Sequence, residues 1–435
     1  MDEKSSLKVL MTSMIGLGHV NACIGIGSLL RKRGHQVYFA HFDENKEVIE
    51  KHGFHYISLC EYNDKNYPIM GEIPANITAF LQAGFEMACK FSTLDTLKES
   101  IKSGLGDGPA FLLEVAKGEN CAMLNIIEKI KPDVCLVDHY WSMPWMVKTS
   151  CPAVPIISSS PLDLYNGPPM GSGYSVHDSP EIWSEYRKLR EESEKNIVAK
   201  AKELYKFFDA EYKPQIYAEQ LGIYIFPGPL DYHELGSPKE KWFRCDSSIR
   251  TPETLDFALP EKLKGKPGKL IYVSMGTVVS AVRQLMEMIV SPLAKSPHRF
   301  VVSTGVYGGA LELHDNMWGD KYINQIALLP KVDLFITHGG TNSLIEGLAA
   351  GKPLIVIPQF GDQPDNAQRV VDLGLGARIN LHEFSGEKLL KAIEDVLNDE
   401  KILANVARVS EELEKSDTRD KVISLIEQLA RNKTL

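Results

Sequence analysis

The chain has 435 residues, 44% of them hydrophobic and 24% charged, with a formal net charge of −9. That length can support two domains with separate cores, and the composition is globular rather than fibrous, disordered or membrane-embedded. The acidic balance argues against nucleic acid or an anionic membrane as partner, so an anionic small molecule would have to be held by local dipoles.

Residues 7–12 are predicted as a strand, 13–19 as a glycine-containing loop, 20–33 as a helix stopped by Gly34, and 36–41 as a second strand. This is a βαβ unit. His19 follows Gly16-Leu17-Gly18 at the carboxyl end of the first strand, directly before the predicted helix. A group of near-neutral pKa at such a rim can take a proton from a hydroxyl. Pro132 precedes an apolar strand over 133–137, which puts Asp138 at the same rim and Asp133 at the opposite end. A carboxylate at Asp138 could hold the far nitrogen of His19 and stabilise its imidazolium. Residues 153–157 read as another strand and 181–212 as a charged helical insertion. The stretch 236–268, rich in Pro, Lys, Gly and Asp, reads as a linker that closes a first parallel-sheet domain over 1–235.

A second βα series follows over 269–418, with strands near 270–274, 299–303, 333–337 and 353–357. Ser274-Met275-Gly276-Thr277 ends the first of these strands, and Ser303 ends the second. Residues 338–346, His338-Gly339-Gly340-Thr341-Asn342-Ser343-Leu344-Ile345-Glu346, follow the third. The two glycines have no Cβ to keep a ligand from the backbone, and the helix beginning near Thr341 offers unpaired N–H groups and a positive dipole end. A nucleotide diphosphate fits there. Asn342 and Glu346 are four apart on one helical face, where a carboxylate can accept from ribose hydroxyls. The fourth strand delivers Asp362 and Gln363, which can bind sugar hydroxyls, to the same rim.

The run from His338 to Asn366-Ala367 resembles the donor signature of the family-one UDP-glycosyltransferases. Ser274-Met275-Gly276-Thr277 resembles that family's Ser-x-Gly-Ser phosphate loop, with Thr277 where serine is usual. Tyr322-Ile323-Asn324-Gln325 resembles its Trp-x-Pro-Gln element, which would stack Tyr322 on uracil and place Gln325 near the ribose; Ser303 is a further possible uracil contact. The resemblance implies a GT-B fold, an α/β architecture of two facing Rossmann-like parallel-sheet domains with ligands in the interdomain cleft. It also implies His19 as catalytic base, and a last helix, 419–435, that returns to the first domain.

The expected reaction is a single inverting displacement on a UDP-sugar, with neither metal nor further cofactor, the leaving UDP being stabilised by His338 and the helix end. Retaining GT-B enzymes commonly carry two glutamates eight apart here, and Leu354 stands at that spacing from Glu346. Asp362-Gln363 makes UDP-glucose the expected donor. The acceptor is expected to be a flavonoid, phenol or macrolide-like alcohol held by Phe85, Met87, Phe91, Trp141, Met143 and the loop 163–175, as suits soluble members of the bacterial macrolide and arthropod detoxification kinds.

Three rivals remain. An oxidoreductase would need a third glycine where Asn21 stands; a non-catalytic nucleotide-sugar or lipophile carrier would be expected to lack His19 or Asp138; a GT-B sugar-nucleotide epimerase would act without an acceptor. Seven scattered cysteines without a C-x-x-C pair suggest reduced thiols. The acidic Met1-Asp2-Glu3-Lys4 start lacks signal-peptide character, and 423–435 is a charged amphipathic stretch rather than an anchor, so a cytoplasmic monomer is expected and the sequons at Asn76 and Asn432 are chance matches.

Overall fold

In the computed structural model, residues 6–67, 69, 76–103, 110–251 and 256–435 are described. The first sheet contains β1 (Lys8–Ser13), β2 (Gln36–His41), β3 (His55–Ser58), β4 (Val134–Asp138), β5 (Ala153–Ile157), β6 (Gly222–Ile225) and β7 (Trp242–Cys245). They lie in the order β3-β2-β1-β4-β5-β6-β7, every pairing parallel. The second contains β8 (Leu270–Ser274), β9 (Arg299–Ser303), β10 (Met317–Asp320), β11 (Leu334–Thr337), β12 (Leu354–Val356) and β13 (Gly376–Arg378). Its order, β10-β9-β8-β11-β12-β13, is again all parallel.

Central strands such as β4 and β8 are buried at every residue, as expected of parallel strands covered on both faces by helices. Each sheet reverses its winding once, between β1 and β4 and between β8 and β11, and a crevice opens there at the carboxyl ends of the strands. Register puts Ser13 beside Asp138 at one crevice and Ser274 beside Thr337 at the other.

Three expectations need correction. The stretch 236–268 is not all linker, because β7 falls inside it and forms the edge of the first sheet, which therefore extends past 235 to Cys245. Four residues between Lys241 and Asp246 look like loop in one dimension, whereas pairing with β6 makes them strand. Gly222 allows that pairing, since a Cβ there would stand 2.6 Å from the Trp242 ring. Second, the first helix begins at Leu17, which places His19 inside its first turn rather than ahead of it. Third, β3, β6, β10 and β13 were not anticipated; each is only three or four residues long.

The final helix, Thr418–Asn432, inserts Val422, Ile423, Ile426, Leu429 and Ala430 into the core of the first domain. Its Glu427 pairs with His35 at 2.9 Å and Arg33 at 3.2 Å. In return the helix Asn76–Lys90, from the first half of the chain, buries Leu81 and Phe85 in the apolar core of the second sheet. The two domains are thus clasped by elements exchanged between them.

Candidate active site

β1 and β4 are neighbours, so the turn after β1 and the last residue of β4 meet. His19 Nδ1 lies 3.1 Å from Asp138 Oδ2 and 3.0 Å from Ser158 Oγ, and Ser158 Oγ donates to the same Asp138 oxygen at 2.6 Å. The carboxylate is the strongest acceptor of the three, so Nδ1 carries the proton and Nε2 the lone pair. Among the described residues Nε2 has no hydrogen-bond partner. Burial favours the neutral ring, but the Asp138 carboxylate outweighs it and holds the His19 pKa above the ordinary histidine value. Tyr140 sets its ring edge against His19, with centroids 5.3 Å apart. Two nearby histidines, His41 and His139, are pushed down to about 4 by burial and stay neutral at pH 7.

Across the cleft, His338 sits between two glycines. A Cβ on Gly276 would stand 2.6 Å from the His338 ring and one on Gly340 2.7 Å, so only glycines leave room for the imidazole at the start of the helix Thr341–Ala349. Gly276 also has a φ of +69°. Burial lowers the His338 pKa to about 4, making it a neutral hydrogen-bonding group rather than a cation. Thr277 beside it is exposed, and Ser274 is buried at the end of β8.

The remaining donor-side residues form a connected network. Glu346 pairs with Arg250 at 3.1 Å and accepts from Gln325 Nε2 at 2.6 Å. Asp362 accepts from Thr341 Oγ1 at 2.6 Å and from Asn366 Nδ2 at 3.1 Å, and it lies close enough to His19 to act on its titration. Gln363 Oε1 accepts from the Gln359 backbone at 2.9 Å. Asn342 lines a small pocket together with Arg250 and Glu346, and its Nδ2 reaches across the cleft to the Gly18 carbonyl at 2.9 Å. The β1 turn and the helix Thr341–Ala349 are thereby tied together.

Two sheets each offering a switch-point site to one cleft match known proteins. The family model for UDP-glucoronosyl and UDP-glucosyl transferase matches residues 249–431. An uncharacterised UDP-glucosyltransferase of Bacillus subtilis, YojK, is 25% identical over 447 residues, covering 98% of each chain. By these likenesses the chain is a glycosyltransferase, similar over its second half to the UDP-glycosyltransferases. Among solved structures, the glycotransferase of kitacinnamycin superposes with a TM-score of 0.67 at 20% identity, over 97% of this chain and 98% of that one. The calicheamicin glycosyltransferase CalG4 gives 0.65 at 17%, over 98% and 99%. These likenesses are of GT-B fold. Among the described residues of this glycosyltransferase, no helix is long and apolar enough to cross a membrane.

The glycosyltransferase has a cavity of about 770 Å³ between its domains, walled by Tyr140, Trp141, Phe91 and Met170 on one side and by Gln359 and Phe360 on the other. Three expected acceptor contacts lie elsewhere. Leu81, Gly84, Ala88 and Phe91 form the stripe that faces the cavity, and at 100° per residue Phe85 and Met87 fall to either side of it, Phe85 into the second-domain core. Met143 is buried behind Trp141 against a separate cavity of about 40 Å³. On the donor side, Tyr322 is 55% exposed after β10 and Ser303 half-buried at the end of β9. Sequence reasoning missed Ser158, Tyr140 and Arg250. Ser158 directly follows β5, and the rim argument used for Asp138 would have found it. Arg250 lay within the supposed linker and carried no local signal.

Proposed function

We propose that the enzyme transfers glucose from UDP-glucose to a hydroxyl of a small lipophilic acceptor, with inversion at the anomeric carbon. The observation that carries this reading is the His19 side chain. Its Nδ1 is held by Asp138 and Ser158, while Nε2 is left free beside the wall of an aromatic cavity large enough for a polycyclic alcohol. In this mechanism Nε2 takes the acceptor proton as the hydroxyl oxygen attacks the anomeric carbon, and Asp138 stabilises the imidazolium that forms. Glu346 would receive the ribose hydroxyls, and Asp362 with Gln363 those of the sugar. Ser274, Thr277, the neutral His338 and the helix start at Gly340 would receive the diphosphate. Tyr322 and Ser303 are assigned to the uracil, and Phe91 and Trp141 to the acceptor. Among the described residues none of the seven cysteines forms a disulfide, which suits a reducing cytoplasmic setting.

Proton NMR of the glucoside tests the stereochemistry: a large anomeric coupling from a β-product is expected, and an α-product formed from the outset would remove the single-displacement mechanism and the role of His19 with it. The diphosphate site is built from a helix start and hydroxyls, so activity is expected to persist in EDTA, and a strict divalent-metal requirement would contradict it.

Gly276→Ala is expected to weaken UDP binding roughly tenfold, because a side chain at positive φ costs about 1–2 kcal/mol and here also displaces His338. Titration calorimetry with UDP reads this. An unchanged affinity would take His338 out of the donor site.

A further inference from the structure

Most charged side chains on the wall of the large cavity are neutralised. Arg190 makes a bidentate pair with Asp163 at 2.7 and 2.8 Å and reaches Glu194 at 2.8 Å, and Lys213 pairs with Glu211 at 2.6 Å. Arg378 is the exception. It ends β13, and its Nε donates to Asn380 Oδ1 at 2.6 Å, while Nη1 donates to the Gly173 carbonyl at 2.7 Å and to Gln368 Oε1 at 2.9 Å. All three acceptors are neutral, and among the described residues Nη2 has no hydrogen-bond partner.

The nearest carboxylates are engaged elsewhere. Asp365 accepts from the Gly171 and Gly173 amides at 2.7 and 2.9 Å, and Asp372 accepts from Ser175 Oγ at 2.9 Å and from Gln368 Nε2 at 2.8 Å. His382, on the same wall, stands 3.8 Å from Glu383. Burial pulls the Arg378 pKa below its ordinary value, yet a guanidinium keeps its charge in any protein setting. A half-buried cation held only by neutral acceptors, in a cavity wall that also carries Tyr140, Trp141, Phe91 and Met170, is stabilised most by an anion that brings two acceptor oxygens.

We propose that this pocket selects acceptors that carry a carboxylate in addition to the reacting hydroxyl, with Arg378 as the specificity-determining contact. The inference rests on the glycosyltransferase reading only in taking the cavity as the acceptor site. The hydroxyl end of such a molecule lies toward Tyr140 and His19, and the carboxylate end toward β13.

The test compares a hydroxycoumarin acetic acid with its methyl ester, which differ in charge and little in shape. Binding is read by coumarin fluorescence and transfer by steady-state kinetics. The acid is expected to bind roughly ten times more tightly than the ester, the value of a charge-assisted hydrogen bond. In Arg378→Gln the acid-to-ester ratio is expected to fall to about one, and Arg378→Lys, which keeps the charge, to retain part of it. A residue with a merely structural role would weaken both ligands equally and leave the ratio unchanged. Equal binding of acid and ester by the natural enzyme, or a ratio that survives in Arg378→Gln, overturns the proposal. Absence of transfer to both ligands alongside an intact binding ratio would count against the proposed reaction and support the anion preference.

Discussion

Replacing His19 with alanine is expected to lower kcat by roughly two to four orders of magnitude with UDP binding retained, because general-base catalysis contributes about that much. Structure adds a pH signature. The base works as the neutral imidazole, and Asp138 holds its pKa above the ordinary histidine value, so the acidic limb of kcat/KM should lie above pH 6.5. Removing the charge with Asp138→Asn leaves burial as the dominant influence and should move that limb to lower pH while also reducing kcat. Activity of a folded His19→Ala variant within a few-fold of the natural enzyme would take the dyad out of the mechanism. An unmoved limb in Asp138→Asn would do the same for the Asp138 role.

The second large effect is on the clasp between domains. Arg369, in the helix Gln363–Asp372, has a side chain only 2% exposed. Its Nε donates to the Leu230 carbonyl and Nη2 to the Asp231 carbonyl, both at 2.7 Å. Nη1 reaches Glu234 at 2.9 Å, and the guanidinium lies 4.9 Å from the Tyr232 ring centroid. Arg369→Ala leaves two carbonyls on the first-domain side without donors, at about 1–3 kcal/mol each. Glu234 is partly open to solvent, so its pairing adds little. A loss of about 3 kcal/mol is expected, read as a fall in the urea midpoint together with faster proteolysis in the segment 228–235. A midpoint unchanged within about 0.5 kcal/mol, the range of ordinary surface substitutions, would show that the segment is held by other contacts.

Much of the site was legible because it follows from local rules. A short apolar run followed by a glycine-bearing turn and a helix is a strand handing over to a helix, and residues at that junction sit at the carboxyl rim whatever the sheet order. That reasoning placed His19, Asp138, Ser274, Gly276 and His338 at rims without knowledge of which strands were neighbours. It also located β8 and β9 to the residue, since both are buried, β-branched and bounded by turn signals. The same rule applied to β5 would have added Ser158.

The acceptor side resisted this treatment for a physical reason. An aromatic residue on a helix looks the same in sequence whether it lines a cavity or fills a core, and the difference is a rotation of about a third of a turn. Phe85 and Phe91 share one segment, yet Phe85 anchors the second domain while Phe91 faces the cavity. Short edge strands such as β7 and β13 likewise exist only because a neighbour supplies the other half of the ladder. Composition and period therefore specified the two βα series, the rims and the glycine-bearing turn after β11, all of which depend on contacts within a few dozen residues. Folding across the chain decided what depends on distant partners: the pairing of Arg250 with Glu346, the bridge from Asn342 to Gly18, and the unneutralised Arg378 in the cavity wall.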